Sequence, residues 1–391
     1  MPAVDRLDTA IKYLVLAFAA VMGFSRGGIH TVAWLLIVTA VLRFCWRPFP
    51  VPLDKELKRA LLLFFGALTI ASLFSGDIAA SVKFLGLSVV KILPFFIVIA
   101  VVKEQNVVEQ ATVLMAGSML VGAAIATWQG LHGMHRVGGT LGTMDFAGIV
   151  GLLVPVLLVK GFEETTGKKV RILYIIAAAV AMTAMMFNGT RAVWVTLAVT
   201  CILFVTISLI INWRKNRQAA VMVCALLLII VLAFINTPSL NHRLHTITDT
   251  KFKSNHERIL MWRYAIDVFT DHWLLGVGPA TLPTLPLSPE EEVRLRQNPT
   301  YGHVHNNLLQ IAAESGIAGG LAYLFLFYTI LKTTVRKMRQ AATQSWAMIA
   351  FLCTTDYLIH GMFDYTFNIP TIMYSFWLII GLAYVSMSQE H

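Results

Sequence analysis

Long apolar stretches without charged residues constrain the fold of this chain more than any other feature of its sequence. Three of them, taken with their flanks, are Ile172–Phe187, Ala192–Ile211 and Val221–Ile235. An apolar window of about 18 or more residues is typical of a helix that crosses a bilayer core about 30 Å thick. Such a helix satisfies its backbone hydrogen bonds internally, so it is stable in lipid. The sequence therefore predicts an all-α polytopic membrane protein.

The composition agrees with this class, because 57% of the residues are hydrophobic and only 13% are charged. A soluble domain carries about 25% charged residues. We expect about twelve transmembrane helices, at approximately 10–24, 29–47, 59–75, 82–102, 108–130, 144–160, 170–188, 190–211, 218–236, 306–333, 343–363 and 367–388. This layout gives nine spans in residues 1–236, one large, partly helical loop in 237–305 and three spans in 306–391.

The net charge of +10 is explained better by membrane topology than by nucleic acid. Lys and Arg are concentrated in connections after even-numbered spans, such as Lys55–Arg59 and Arg214–Arg217, whereas short connections after odd-numbered spans carry only Arg26, Lys83, Arg136 and Arg191. The connections richer in Lys and Arg are expected in the cytoplasm. Both termini are then cytoplasmic, and the large loop is on the opposite, periplasmic face. No nucleic-acid partner is expected.

Four cysteines are scattered through the chain, at Cys45, Cys201, Cys224 and Cys353. They lie mostly in apolar stretches and lack the spacing of a zinc site or a disulfide framework. We expect them to be buried as small hydrophobic residues.

The large loop is the longest mostly polar segment and is rich in cationic groups. They are His242, Arg243, His245, Lys251, Lys253, His256, Arg258 and Arg263. Apolar residues at helical spacing predict a helix over Glu257–Phe269, with Asn255 as its cap and an end near Asp271. The loop ends with His303 and His305, directly before a new helical pattern. This combination indicates a site that binds an anion and handles a proton.

Two short connections on the same predicted face are also informative. The glycine-dense run Arg136–Thr143 either approaches a ligand with its backbone N–H groups or forms a re-entrant turn beside two helices. Arg191 follows a tight turn between two apolar helices, where it either meets an anion or snorkels beside Trp194.

The chemistry of these residues points to a phosphate-bearing substrate. Arginine binds phosphate and diphosphate oxygens in a bidentate manner, so Arg191, Arg258 and Arg136 are candidates for contact with a diphosphate. Histidine is suited to accept a proton from a hydroxyl, so His303 and His305 are candidate bases. The sequence has no Asp-x-Asp or His-Glu-x-x-His motif and no paired acidic residues at the predicted membrane boundary, so we expect neither a metal nor a cofactor.

The stretch from Asn255 to Gly320 resembles the signature region of the bacterial O-antigen ligase and polymerase superfamily. The resemblance rests on Arg258-x-x-x-Trp262, on Gly276-x-Gly278, and on His305-Asn306 followed by Gly316-x-x-Gly319. It is most similar to O-antigen ligases in the His-Asn and Gly-x-x-Gly elements, and the predicted layout of the spans agrees with the family.

The resemblance implies a fold, a reaction and a set of roles. The reaction is an inverting, metal-independent transfer of O-antigen polysaccharide from undecaprenyl diphosphate to a sugar hydroxyl of lipid A-core, at the periplasmic face of the bacterial inner membrane. His305 matches the motif histidine of the family, and Arg258 and Arg191 match its arginines. His303 competes for the role of base. Trp262 and Trp273 either stack on sugars or pack the loop, and packing is favoured.

Other functions remain open at this point. An O-antigen polymerase or a protein O-oligosaccharyltransferase would use the same donor and similar residues. A lipid-linked sugar transporter or flippase would place charged residues inside several spans. The charges here gather at one predicted face instead, which favours an enzyme.

Overall fold

The structure, a computed structural model, describes residues 2–285 and 303–388. All regular secondary structure within these ranges is helical. The helices are α1 (Pro2–Val21), α2 (Arg26–Trp46), α3 (Lys55–Leu73), α4 (Ile78–Val101), α5 (Gln105–Leu131), α6 (Thr143–Phe162), α7 (Lys168–Asn188), α8 (Arg191–Asn236), α9 (Pro238–His245), α10 (Lys253–Asp271), α11 (Asn307–Lys337), α12 (Gln344–His360) and α13 (Pro370–Ser388), with single 3-10 turns at Leu282–Thr284 and Thr366–Asn368. The part of the predicted loop at 286–302 lies outside the described residues.

Eight of these helices are long and apolar enough to cross a membrane: α2, α4, α5, α6, α7, α8, α11 and α13. The prediction of an all-α, multi-pass membrane protein is therefore confirmed. Helix α8 has 46 residues and is interrupted at Asn212, whose φ of −157° and ψ of 93° are not helical. A straight helix of that length would extend about 69 Å, more than twice the bilayer core. The total of twelve spans stays a prediction.

Helices α6 and α13 form the centre of the bundle and are buried along most of their length. Helix α13 packs on α4 and α12, and α6 packs on α7 and α12. The outer helices α2 and α8 expose large apolar side chains such as Leu42 and Ile210. Exposed apolar faces of this kind suit contact with lipid. Of the cysteines, Cys201 and Cys353 are buried as expected, whereas Cys45 and Cys224 are exposed, so the expectation was wrong for these two.

Helix α10 begins one turn earlier than the sequence pattern predicted. It starts at Lys253 and ends at Asp271, so the predicted end is confirmed, but Asn255 is not its cap. The Asn255 amide instead donates to the carbonyls of Thr246 and Ile247, at 2.8 and 3.3 Å. Asn255 thus ties the start of α10 to the segment before it.

A backbone contact, which we call the glycine clasp, fixes residues 273–278 against residues 313–317 of α11. The N–H groups of Val277 and Gly278 donate to the first two carbonyls of 313–317, at 3.1 and 2.9 Å. Gly316 interrupts α11 with a φ of 66° and a ψ of −168°. A Cβ added there would overlap the Leu274 carbonyl oxygen, so this approach requires glycine. The clasp joins the segment after α10 to the helix that starts two residues after His305.

Candidate functional site

The turn between α12 and α13, residues 361–369, supports the candidate site. The Asn306 amide donates to the Met362 carbonyl at 3.1 Å, and the backbone N–H of Asn307 donates to the first carbonyl of the turn at 2.6 Å. Asn306 also caps α11, since its side-chain oxygen accepts from a backbone N–H one turn ahead. His305, the residue before this cap, is therefore held beside the turn.

A lysine from the transmembrane helix α4 holds the other end of the turn. Lys91 is 3% exposed, and its Nζ donates to Oδ1 of Asn368 at 3.1 Å. It also reaches the carbonyls of Phe367 and Asn368, each at 3.4 Å. Among the described residues no ion pair with a carboxylate is formed by Lys91, so carbonyl and amide oxygens solvate its amine.

His305 and Asp364 form a hydrogen-bonded pair at the centre of the site. The distance between His305 Nδ1 and Asp364 Oδ1 is 3.2 Å. Burial favours the neutral carboxyl, but the hydrogen bond from His305 and the charges of His360 and His305 outweigh it and hold the pKa of Asp364 well below its usual range. His305 has a φ of 54°, an uncommon value for a residue other than glycine. The surrounding hydrogen bonds hold the histidine in this strained conformation.

His303 lies next to the pair in a different environment. Its ring centroid is 4.2 Å from that of His305, and its ring stacks on Tyr365. Burial, together with the charge of His305, lowers the pKa of His303 to about 4. The buried Val304 between the two histidines donates its N–H to Gln310 Oε1 at 2.7 Å, which fixes the backbone here. His303 is therefore a neutral imidazole at pH 7.

Arg258 brings a positive charge to the same place from α10. The residue is half-buried, and burial lowers the pKa of its guanidinium, an effect that the Asp364 carboxylate partly offsets and Arg136 reinforces. A guanidinium remains protonated at neutral pH despite such a shift. The charge of Arg258 also lowers the pKa of His303, which shows that the arginine and the histidines share one electrostatic environment.

Arg191 is committed to contacts within the protein. Its guanidinium donates to the Thr246 carbonyl and hydroxyl, to Ser254 Oγ at 2.6 Å and to Asn255 Oδ1 at 2.9 Å. It also lies over the Phe252 ring, with Cζ 4.6 Å from the ring centroid. These partners are neutral, so they do not offset the positive charge of Arg191. The contacts hold the start of α10 against the start of α8.

Arg136 and the glycine-dense run lie at the edge of this cluster. Arg136 is exposed and adopts a φ of 57°. The N–H of Gly139 donates to Gln129 Oε1 at 3.0 Å, and the N–H groups of Leu141 and Gly142 donate to a carbonyl within the run. These three N–H groups are used internally, which favours the re-entrant turn over a backbone site for a ligand.

The two tryptophans have different surroundings. Trp262 is partly buried and packs against the cluster that contains Val304 and Tyr264. Trp273 is 55% exposed, and its carbonyl accepts from the Ile317 N–H at 2.8 Å within the glycine clasp. Packing is thus the better interpretation of Trp262, whereas the Trp273 ring is accessible to sugar or lipid.

Sequence reasoning missed two residues of the site, Asp364 and Arg243. Arg243 was noted only as one cation among many, and its guanidinium donates to the Gly189 carbonyl at 3.1 Å, beside Arg191. Asp364 falls in the short connection between the predicted spans 343–363 and 367–388. The predicted topology places that connection on the same face as the loop, and this was the signal that could have identified it.

The site also contains a set of donors that suits a metal ion. His303, His305 and Asp364 each offer one ligand atom, and these atoms lie within 4.8 Å of one another. No metal motif in the sequence indicates this group, because Asp364 follows His305 by 59 residues.

Comparison with known proteins matches a region that contains Arg191, Arg258, His303 and His305 but not Asp364. Residues 174–324 match the family described as O-antigen ligase. Proteins named "Putative polysaccharide ligase" from Rickettsia conorii and Rickettsia felis are each 27% identical to this chain over 127 residues. Each alignment covers 32% of this chain and 30% of the relative. The chain thus matches less than a third of the length of these relatives.

Proposed function

Since the matches assign residues 174–324 to the O-antigen ligase family, we propose that this chain transfers O-antigen polysaccharide from undecaprenyl diphosphate to a sugar hydroxyl of lipid A-core. The observation that carries the proposal is the His305–Asp364 pair beside a group of arginines. The pair can remove a proton from an acceptor, and the arginines can hold a diphosphate. These are the two tasks that a glycosyl transfer from a lipid diphosphate to a hydroxyl requires.

The proton transfer follows from the geometry of the pair. An ionised Asp364 accepts only, so His305 donates to it from Nδ1. Nε2 is then the unprotonated nitrogen, free to take the proton of an acceptor hydroxyl as its oxygen attacks the anomeric carbon. Asp364 fixes this tautomer and stabilises the imidazolium that forms, so it is a positioning residue for His305.

The arginines act on the leaving group. As the anomeric C–O bond breaks, the electron pair of that bond moves to the diphosphate oxygen. A preorganised positive charge stabilises the developing negative charge, because it needs no reorganisation during the reaction. We assign the main contact with the diphosphate to Arg258, because its charge lowers the pKa of His303 and it therefore lies in the same electrostatic environment. Arg191 and Arg136 contribute to the positive potential, with Arg191 also bracing the loop.

An apolar groove beside these arginines suits the polyprenyl tail of the donor. A cavity of about 200 Å³ lies between α7 and the two halves of α8. Its lining includes Met185, Trp194 and Phe234, and it reaches Leu244, the neighbour of Arg243. A lipid tail in this groove would bring its diphosphate to the arginine cluster.

The proposed location is the bacterial inner membrane, with the site facing the periplasm. The distribution of Lys and Arg supports this orientation through the positive-inside rule. The large loop, α9 and α10, and the turn at 361–369 then share the periplasmic face.

Transfer by the purified protein tests the proposal. We expect protein in liposomes to move polysaccharide from an undecaprenyl diphosphate donor onto lipid A-core without ATP or added metal. Parallel reactions that offer a lipid-linked repeat unit or a protein acceptor separate a ligase from a polymerase and from a protein O-oligosaccharyltransferase. Donor that crosses the bilayer without being consumed would indicate a flippase and contradict the proposal.

Arg258→Lys provides a sharper test of the donor site. Lysine keeps the charge but loses the planar fork that binds two phosphate oxygens. We expect weaker donor binding and slower transfer in this variant. Arg263→Lys, on the exposed side of the same helix, is the matched control and should behave as the wild type.

A further inference from the structure

The trio of His303, His305 and Asp364 has a composition that the proposed proton transfer does not fully use. The transfer needs His305 and Asp364, whereas His303 has no part in it although its ring centroid is 4.2 Å from that of His305. The possible ligand atoms of all three side chains lie within 4.8 Å of one another. Two imidazoles and one carboxylate thus lie close together.

This donor set has a defined preference among metal ions. Imidazole nitrogen with carboxylate oxygen suits divalent ions of the zinc type, with bonds of about 2.0–2.2 Å. Two such bonds at a tetrahedral angle separate their donor atoms by about 3.4 Å. The distance of 3.2 Å between His305 Nδ1 and Asp364 Oδ1 is close to this value. Magnesium and calcium prefer six or more oxygen ligands, which the trio does not supply.

We propose that His303, His305 and Asp364 form an inhibitory site for a divalent transition-metal ion of the zinc type. A metal that binds both His305 Nδ1 and Asp364, whose atoms are 3.2 Å apart, leaves the ring proton of His305 on Nε2, so this nitrogen no longer takes the acceptor proton. The metal also removes Asp364 as the partner that fixes the productive tautomer. The positive charge of Arg258 opposes the ion, so binding is reversible and weaker than in a structural zinc site. The inhibition rests on the proposed function, whereas the binding does not.

Cobalt binding tests the site independently of activity. Co²⁺ substitutes for Zn²⁺ and gives visible absorption when imidazole and carboxylate ligands surround it. We expect the purified full-length protein to develop this absorption on titration with Co²⁺ and to lose it when Zn²⁺ is added. His303→Ala and Asp364→Asn should each weaken Co²⁺ binding at least about tenfold. His272→Ala, an exposed histidine after α10, is the matched control and should bind Co²⁺ as the wild type does.

Two outcomes would overturn the inference. One is wild-type protein that shows no absorption with Co²⁺, and the other is absorption that persists unchanged in His303→Ala. Thermal unfolding of each variant checks that it is folded. If His303→Ala is not folded, His303→Gln replaces it in the Co²⁺ titration.

Zn²⁺ inhibition of polysaccharide transfer is a separate measurement. Zn²⁺ should inhibit the wild type, with full recovery on addition of EDTA, and His303→Ala should need at least about tenfold more Zn²⁺. Cobalt binding without any transfer activity would contradict the proposed function and leave the metal site intact. Transfer activity that Zn²⁺ does not reduce, with Co²⁺ bound, would contradict the inhibition.

Discussion

His303 and His305 are two residues apart, and their surroundings assign them different tasks. Only His305 has a hydrogen bond to Asp364 among the described contacts of the two rings. His303 has a pKa lowered to about 4 by burial and by the charge of His305, so it has little affinity for a proton at neutral pH. A general base is most effective with a pKa near the working pH. The assignment of His305 as the base therefore stays a prediction, and the contact with Asp364 is a reason for it that is independent of the motif.

Exchange of each histidine for alanine measures this difference. A general base contributes about 10²–10⁴-fold to the rate. We expect His305→Ala to lose transfer by about this factor and to retain donor binding, whereas His303→Ala should be impaired less. Single-turnover transfer and donor binding are the measurements. An active His305→Ala with an inactive His303→Ala would identify His303 as the base.

The lowered pKa of His303 also predicts how stability depends on pH. An unfolded histidine titrates near pH 6.5, so the unfolded state binds more protons than the folded state between about pH 6.5 and pH 4. Stability is therefore lost as the pH falls through this window. From pH 7 to pH 5 the contribution of His303 is about 2 kcal/mol. Melting temperatures in detergent should fall less on acidification in His303→Gln than in the wild type, and equal falls would refute this.

Arg191 and Arg258 should respond differently to substitution, because of the two only Arg191 donates hydrogen bonds to protein acceptors among the described residues. Arg191→Ala removes the hydrogen bonds to Thr246, Ser254 and Asn255, so we expect lower thermal stability as well as lost transfer. Arg258→Ala should lose transfer and donor binding with a smaller change in melting temperature. The reverse order of melting temperatures would mean that Arg258 is the brace.

At the scale of elements, sequence periodicity located helices better than it located their contacts. The apolar spacing predicted the end of α10 at Asp271 correctly. The helix starts about one turn earlier than predicted, because the Asn255 side chain donates to carbonyls of the preceding segment and does not cap the helix. A side chain can cap a helix or bind elsewhere, and spacing alone does not distinguish these. The glycine motifs were visible in the sequence, whereas their meeting in the glycine clasp depends on a contact between segments about 40 residues apart.

Gly316→Ala tests the clasp. An alanine there meets the Leu274 carbonyl and must adopt a φ of 66°, which costs about 1–3 kcal/mol in backbone strain alone. We expect a lower melting temperature and loss of transfer, because the clasp sets the position of α10 relative to His305. Gly86→Ala on α4 is the control, since an added Cβ meets no atom within 4 Å there. Equal stability of the two variants would show that the clasp is not under steric constraint.

For the molecule as a whole, composition was sufficient to predict the class but not the site. Apolar windows identify membrane helices because lipid imposes the same requirement on every span. Asp364 escaped notice because its significance arises from its distance to His305, and sequence separation carries no information on that distance. Arg191 was identified as a cation, but its engagement by neutral acceptors depends on the folded loop.

Cysteine labelling tests the orientation of the molecule. In a background where the exposed Cys45 and Cys224 are serine, a membrane-impermeant thiol reagent should label Thr270→Cys in intact spheroplasts. Ala342→Cys, in the connection between α11 and α12, should be labelled only after the membrane is opened. Both positions are exposed, so accessibility within the protein does not decide the result. The opposite pattern would invert the topology.

The contact of Lys91 with the turn at 361–369 sets a condition on biosynthesis. Lys91 emerges from the ribosome 277 residues before Asn368, the source of its amide acceptor. At about 5–20 residues per second, this interval is about 15–55 s. A lysine inside an apolar helix has a high free energy in lipid when it lacks hydrogen-bond acceptors. We therefore expect α4 not to reach its final position in the membrane during this interval. The turn at 361–369 thus both supplies the acceptors of this amine and carries Asp364 to His305, so the settling of α4 and the assembly of the candidate site depend on the same late-synthesised segment.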